Sequence, residues 1–207
     1  MDHATSWLQR FCSAPGNEFY AEVPVSFIQD GFNTINLVRT GSTIPYHKSA
    51  MNLLLGNAPP HGVGDEREAH IQASAASLYG LIHARYLLTP AGMETLRHKL
   101  LDADFGRCPR VACGGQPVLP VGASDRPRES SVSVFCPLCF EIYHPSAYFR
   151  AHDGAHWGTT ASHLLLLSHP ALVPLGGSRG SACTPQVFGF RLHRTSAPMR
   201  RHFAGAD

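Results

Sequence analysis

Two pairs of cysteines constrain this chain more than any other feature. Cys108-Pro-Arg-Val-Ala-Cys113 is a C-x4-C pair and Cys136-Pro-Leu-Cys139 a C-x2-C pair, with residues 114 to 135 between them. Two short-spaced pairs about 20 residues apart fit a four-cysteine zinc site. A tetrahedral ion with Zn–S bonds of roughly 2.3 Å needs two ligands from each of two tight turns. Gly114 and Gly115 follow the first pair, where a turn can require positive φ. Pro109 and Pro137 follow the first cysteine of each pair and stiffen the knuckles. Unrelated buried cysteines, two local disulfides and a rubredoxin-like iron site are the competing readings. Four thiolates fill the tetrahedron, so the expected metal is structural. Cys12 and Cys183 stand alone and read as ordinary buried thiols.

Upstream of the knuckles the pattern is helical. Short helices are expected over 6–11 and 27–32. A third is expected over 45–55, where Ala50, Met51, Leu54 and Leu55 share helical spacing before Gly56. Residues 56–64 read as an uncharged linker. Asp65 is the expected N-cap of an amphipathic helix carrying Ile71, Ala75, Leu78, Ile82 and Tyr86. Thr89 and Pro90 start another helix, with Met93, Leu96, Leu100 and Leu101 as its apolar face and an end at Asp104 to Gly106. From 107 onward helical periodicity is lost. A strand is expected around Val132 and Val134, and Leu164 to Leu167 reads as a buried strand or short helix. Val187 to Leu192 alternates, with Phe188, Phe190 and Leu192 on one face. We therefore expect an α+β chain: a helical domain over 1–104, a zinc ribbon over 105–170, and an extended tail over 171–207.

Composition excludes several functions. Charged residues make up 15%, against roughly 25% in ordinary soluble domains, and Lys+Arg 17 against Asp+Glu 15 leaves a formal charge of +2. That balance weakens a nucleic-acid role, as do Asp125 and Glu129 among Arg107, Arg110, Arg126 and Arg128. The Leu164–Leu167 run falls far short of the roughly 20 apolar residues of a membrane span. Met1 to Arg10 lacks the apolar core of a secretory leader, so a reducing compartment is expected. Asp104-Phe105-Gly106 spells the kinase D-F-G, but the Gly-rich loop, strand lysine and H-R-D motif that kinases also need are missing, so Asp104 reads as the end of a helix. His152, His156, His163 and His169 lack an H-E-x-x-H context and read as surface or satisfied histidines.

Several segments together resemble the regulatory (beta) subunit of casein kinase II. They are Gly16-Asn-Glu-Phe19, Phe27-Ile-Gln-Asp30, Leu78-Tyr-Gly-Leu-Ile-His-Ala-Arg-Tyr86, Asp104-Phe-Gly106, Cys108-Pro-Arg-Val111, Ser124-Asp125, Cys136-Pro137 with Cys139, Asp153-Gly-Ala155, Gly158-Thr159 and Gly189-Phe190. The nine-residue run 78–86 combined with the cysteine spacing is the specific part, and the resemblance covers about Ser6 to His193.

The resemblance implies a non-catalytic subunit that holds structural zinc on Cys108, Cys113, Cys136 and Cys139. It implies a homodimer through the ribbon, with Pro109, Val111 and Ile142 facing the partner; packing within the chain is the alternative for these three. It implies docking on the catalytic (alpha) subunit through Phe188 and Phe190, with Leu164 as an apolar contact. Influence on protein substrates and residence in cytoplasm and nucleus follow from the same resemblance, with no membrane partner. The chain departs from the family in its regulatory segments. Residues 56–64 contain no acid, and the N-terminus lacks the acidic Ser-rich phosphorylation segment; a surface without negative charge does not attract polycations. A divergent paralogue acting as a protein adaptor and a zinc-ribbon nucleic-acid binder are the alternatives.

Overall fold

A computed structural model describes residues 6–37, 44–57, 64–174, 186–191 and 193. The fold is α+β. Helix α1 (Trp7–Cys12) starts at a capping box: the Ser6 hydroxyl accepts from Gln9 N–H, and the Gln9 side chain accepts from Ser6 N–H. The helical piece expected over 27–32 is two helices, α2 (Val25–Gln29) and α3 (Gly31–Thr34). Asp30 separates them, because its carboxylate caps Phe32 N–H and needs an extended backbone. Helix α4 (His47–Leu54) ends before Gly56, which has a φ of 82°.

Helix α5 (Asp65–Tyr86) is the axis of the molecule. Its N-cap is Gly64, with Asp65 as the first helical residue, so the helix starts one position earlier than the sequence reading. Ile71, Ala75, Leu78, Ile82 and Tyr86 are all buried, as expected. The amphipathic picture stops halfway, however. Every residue from Leu78 to His83 is buried, so the second half of the helix is enclosed on all sides. That stretch carries no charged side chain, and its polar groups, the Tyr79 hydroxyl and the neutral His83 imidazole, are held by hydrogen bonds. Arg85, on the rim, donates from Nη1 to the carbonyls of Asn33 and Ile35 and ties α5 to the end of α3.

Helix α6 (Pro90–Leu101) is capped by Thr89, whose hydroxyl accepts from Gly92 N–H. Leu96 and Leu100 are buried, but Leu101 is exposed: one residue past Leu100 is a 100° rotation off the face. The turn that follows has Ala103 and Gly106 at positive φ. Asp104 pairs there with Lys99 at 3.0 Å while Phe105 is buried, consistent with a helix end.

A three-stranded antiparallel sheet follows, β1 (Leu119–Val121), β2 (Ser133–Phe135) and β3 (Ile142–Tyr143), in the order β1-β2-β3. Its register pairs Pro120 with Val134 and Phe135 with Ile142. Contrary to the expected loss of helix beyond 107, α7 (Ala147–Arg150) and α8 (Ala161–Ser168) lie here. Residues 164–167 are helical: Leu165 and Leu166 are buried, Leu164 half-buried and Leu167 exposed. Ser162 donates to the Pro120 carbonyl, fixing α8 to β1. One continuous cluster of buried side chains runs from Trp7 and Leu8, through α5, to Phe149, Trp157 and Leu165.

The tail departs most from expectation. Strands β4 (Gln186–Val187) and β5 (Phe190–Arg191) pair antiparallel, with Val187 opposite Phe190. Phe188 and Gly189 form the two-residue turn, with φ of 50° and 83°. The segment is a tight hairpin rather than an extended strand, so Phe188 and Phe190 do not share a face by alternation. Glycine at 189 permits the reversal, which alternation alone does not reveal. Leu192, Cys183 and most of 174–185 lie outside the described residues, as do residues 58–63 of the expected linker.

Candidate metal centre and exposed apolar faces

Both cysteine pairs sit in hydrogen-bonded turns. Cys108 N–H donates to the Gln116 carbonyl at 2.8 Å, and Cys113 N–H to Arg110 at 2.9 Å. A single 3-10 turn, Val111 to Cys113, closes the first knuckle, and Gly114 and Gly115 leave it at φ of 58° and 78°. The positive φ read from the sequence is therefore real. In the second knuckle Cys136 N–H donates to the Glu141 carbonyl at 3.0 Å, and Phe140 N–H to Cys136 at 2.9 Å.

The two turns bring four buried sulfurs together. All four Sγ atoms lie within 4.8 Å of one another, with Cys108 and Cys139 3.9 Å apart. All four are free thiols, which removes the two-disulfide reading. A tetrahedron with bonds of roughly 2.3 Å has S–S edges of about 3.8 Å, so the cluster has the size of a four-thiolate metal site. Its chemistry agrees. Burial first, then the neighbouring thiols, push Cys113 up to about 12 and Cys136 up to about 11. Burial also works against the Cys139 thiolate, but the Tyr143 hydroxyl 3.3 Å away and nearby backbone groups outweigh it and bring the group to about 7. Such a cluster resists repeated ionisation by itself; a divalent cation reverses that by compensating the thiolates.

The same knuckles push apolar side chains outward. Val111 is 85% exposed, Ile142 59%, and Pro109 is exposed too, so packing within the chain does not account for these three. Phe140 belongs with them at 58% exposure. Sequence reading missed it; its place directly after Cys139 was the available signal, and its φ of 59° turns it off the strand path. The tail hairpin is a second apolar face, with Phe188 96% and Phe190 78% exposed. Leu164 sits half-buried on α8.

The remaining candidates lie away from the cysteines, and His169 departs from the satisfied reading: it is half-buried and its Nδ1 has no hydrogen-bond partner among the described residues. Cys12 is half-buried with Tyr79 Oη 3.2 Å away. His152 and His156 are hydrogen-bonded, and His163 is exposed against the Phe135 ring. Among the described residues no helix is long and apolar enough to cross a membrane.

Comparison with known proteins agrees with this geometry. A family model described as casein kinase II regulatory subunit matches residues 6–191. Casein kinase II subunit beta of Dictyostelium discoideum is 39% identical over 192 residues, covering 92% of this chain and 70% of that protein. Casein kinase II subunit beta of Schizosaccharomyces pombe is 40% identical over 202 residues, covering 97% and 84%. Casein kinase II subunit beta' of Drosophila melanogaster is 39% identical over 193 residues, covering 93% and 86%.

Proposed function

The chain belongs to the casein kinase II regulatory-subunit family, and from that premise we propose that it works as a zinc-stapled homodimer that docks, stabilises and biases the substrate choice of two catalytic subunits. The family is one of non-catalytic subunits, so phosphoryl transfer belongs to the partner. Zinc would sit on Cys108, Cys113, Cys136 and Cys139 and supply rigidity. Pro109, Val111, Phe140 and Ile142 would meet their copies in the dimer. The tail hairpin would insert Phe188 and Phe190 into a groove of the catalytic subunit, with Leu164 as a side contact. We also propose that the change from helices to knuckles near 104 divides the chain into a helical and a ribbon unit.

One observation carries this reading: the outward Pro109, Val111 and Phe140 lie on the very turns that hold the sulfurs, and Ile142 opens the strand that follows the second turn. A metal-tied turn presents apolar groups with little ordering cost on association. The test is co-purification with the catalytic subunit of casein kinase II. Wild-type chain is expected to retain it. Phe188→Ala with Phe190→Ala is expected to lose at least about 2 kcal/mol, roughly thirtyfold in affinity, because buried aromatic anchors dominate such interfaces. Normal binding by the double variant would show that the hairpin is not the docking element, and failure of the wild type to bind would favour an adaptor role.

A further inference from the structure

Away from the cysteines, a polar network is built into the junction of three segments. Tyr20 belongs to the stretch that follows α1, His83 to α5, and His152 and His156 to the turns before α8. His152 Nε2–H donates to the Gly16 carbonyl at 2.7 Å, which leaves Nδ1 as an acceptor. Tyr20 Oη lies 2.6 Å from His156 Nδ1 and 3.5 Å from His152 Nδ1. One arrangement of protons satisfies all of these atoms: His156 Nδ1–H donates to Tyr20 Oη, and the Tyr20 hydroxyl donates to His152 Nδ1. His83 completes the set, donating from Nδ1 to the His156 carbonyl at 2.7 Å and accepting Ala21 N–H on Nε2 at 3.1 Å. The imidazole of His156 lies against Gly80, where a Cβ would run into the ring. His83 and His152 each use one ring nitrogen as donor and the other as acceptor, so this count closes only while those two imidazoles are neutral, and a charged His156 would stand beside them.

We propose that Tyr20, His83, His152 and His156 form a proton-operated latch, closed while the imidazoles are neutral and loosened from residues 16–21 when His152 and His156 take up protons. A proton on His152 Nδ1 would face Tyr20 Oη, which already accepts from His156, and the tyrosine proton would lose its acceptor. Two half-buried cations would then share the junction, a state relieved by letting water in. A cavity of about 440 Å³ that touches Asn17, Tyr20, His70, His152 and His156 gives water room beside the rings.

The surrounding charges set the balance. Asp153 favours a charged His156 and Glu18 a charged His152, whereas each of these imidazoles opposes its neighbour and Lys99 opposes charge on His83. Cys12 and Asp153 face Tyr20, and His70 and Arg128 line the cavity. Burial outweighs the carboxylates, holding His156 down to about 4 and His152 below its ordinary value. Other anchors keep the 16–21 stretch in place: Tyr79 Oη donates to the Ala21 carbonyl at 2.6 Å, Asn17 Nδ2 to the Phe11 carbonyl at 3.0 Å and Lys99 Nζ to the Glu18 carbonyl at 2.7 Å, and Phe19 stacks on Phe149 at 4.3 Å. The pH response we propose belongs to the imidazoles, which face Tyr20 directly.

The sign follows from linkage. The folded pKa values lie below the unfolded value of about 6.5, so the closed state is fully favoured above that pH and loses ground below it. Amide hydrogen exchange on the full chain, corrected for intrinsic rates, reads the opening at pH 7.5 and 5.5. Opening of residues 17–22 and 153–158 is expected to rise about tenfold for each histidine that charges on opening. Amides of 78–82 in α5 are expected to remain more protected at both pH values, and amides 109–113 report independently on the cysteine knuckle. His156→Phe is expected to remove one tenfold step. The latch is overturned if residues 17–22 and 78–82 share a single opening constant, since that is global unfolding, or if wild type and His156→Phe respond alike. Should that variant misfold, wild-type NMR titration decides: the latch requires both His152 and His156 to titrate below their ordinary pKa, and titration of either near 6.5 sinks it.

Discussion

The two exposed apolar faces are built in opposite ways. The knuckle face of Val111, Phe140 and Ile142 is carried on turns whose backbone is bonded at Cys108, Cys113 and Cys136, around four clustered sulfurs, and on the strand β3 that follows them. The tail face of Phe188 and Phe190 is carried on two paired two-residue strands. Isolated hairpins are marginal in water, and a bulky residue at positive φ costs roughly 1–2 kcal/mol more. The first face is therefore the better ordered, and the second would bear an ordering cost in the docking proposed for it. Such an arrangement suits a permanent contact on the knuckles and a reversible one at the tail.

Metal removal should separate the two faces most sharply. A structural four-thiolate site supplies on the order of 10–16 kcal/mol of apparent free energy. Chelation, or Cys113→Ser, is expected to collapse the knuckles and the dimer while far-UV circular dichroism retains the signal of α5 and α6. A dimer that survives chelation in sedimentation analysis would mean that the metal does not hold the interface.

Charge placed on the knuckle face comes next in size. Val111→Asp with Ile142→Asp leaves the fold intact, since both side chains are exposed, but buries two unpaired carboxylates from each protomer in a dimer formed through this face. Several kcal/mol should be lost from association, seen as monomer at micromolar concentration. An unchanged mass would move the interface elsewhere.

The smallest effect tests the tail. Phe188→Asn places a residue that tolerates positive φ before Gly189, the preferred pair for a two-residue hairpin turn. The free hairpin should become more populated, by about 1 kcal/mol relative to Phe188→Ala. Binding to the catalytic subunit should be weaker than wild type, because the ring is gone, yet roughly fivefold tighter than Phe188→Ala. Equal affinities for the two variants would show that turn order contributes nothing to docking.

Much of the metal centre was legible because it is local. Cysteine spacing, the following glycines and the knuckle prolines all act within a few residues, and the turns formed where they indicated. The face of α5 from Ile71 to Tyr86 was legible for the same reason. Phe140 was not, since its exposure depends on how the second knuckle sits against β2 and β3. The tail was misread because alternation describes an extended chain, and a Gly-containing pair can reverse it within two residues. The histidine junction was invisible, since residues 16–21, 83 and 152–156 meet only when α5 is enclosed on both sides.

By itself the sequence determined the four-cysteine cluster, the α5 core face and the family, because each rests on residue types at short spacing or on a long specific run. Tertiary structure alone decided which apolar residues remain outside, how the tail turns back at Phe188-Gly189, and which imidazoles share protons with Tyr20. Exposure and long-range hydrogen bonding depend on how elements pack against one another, and no local spacing encodes that.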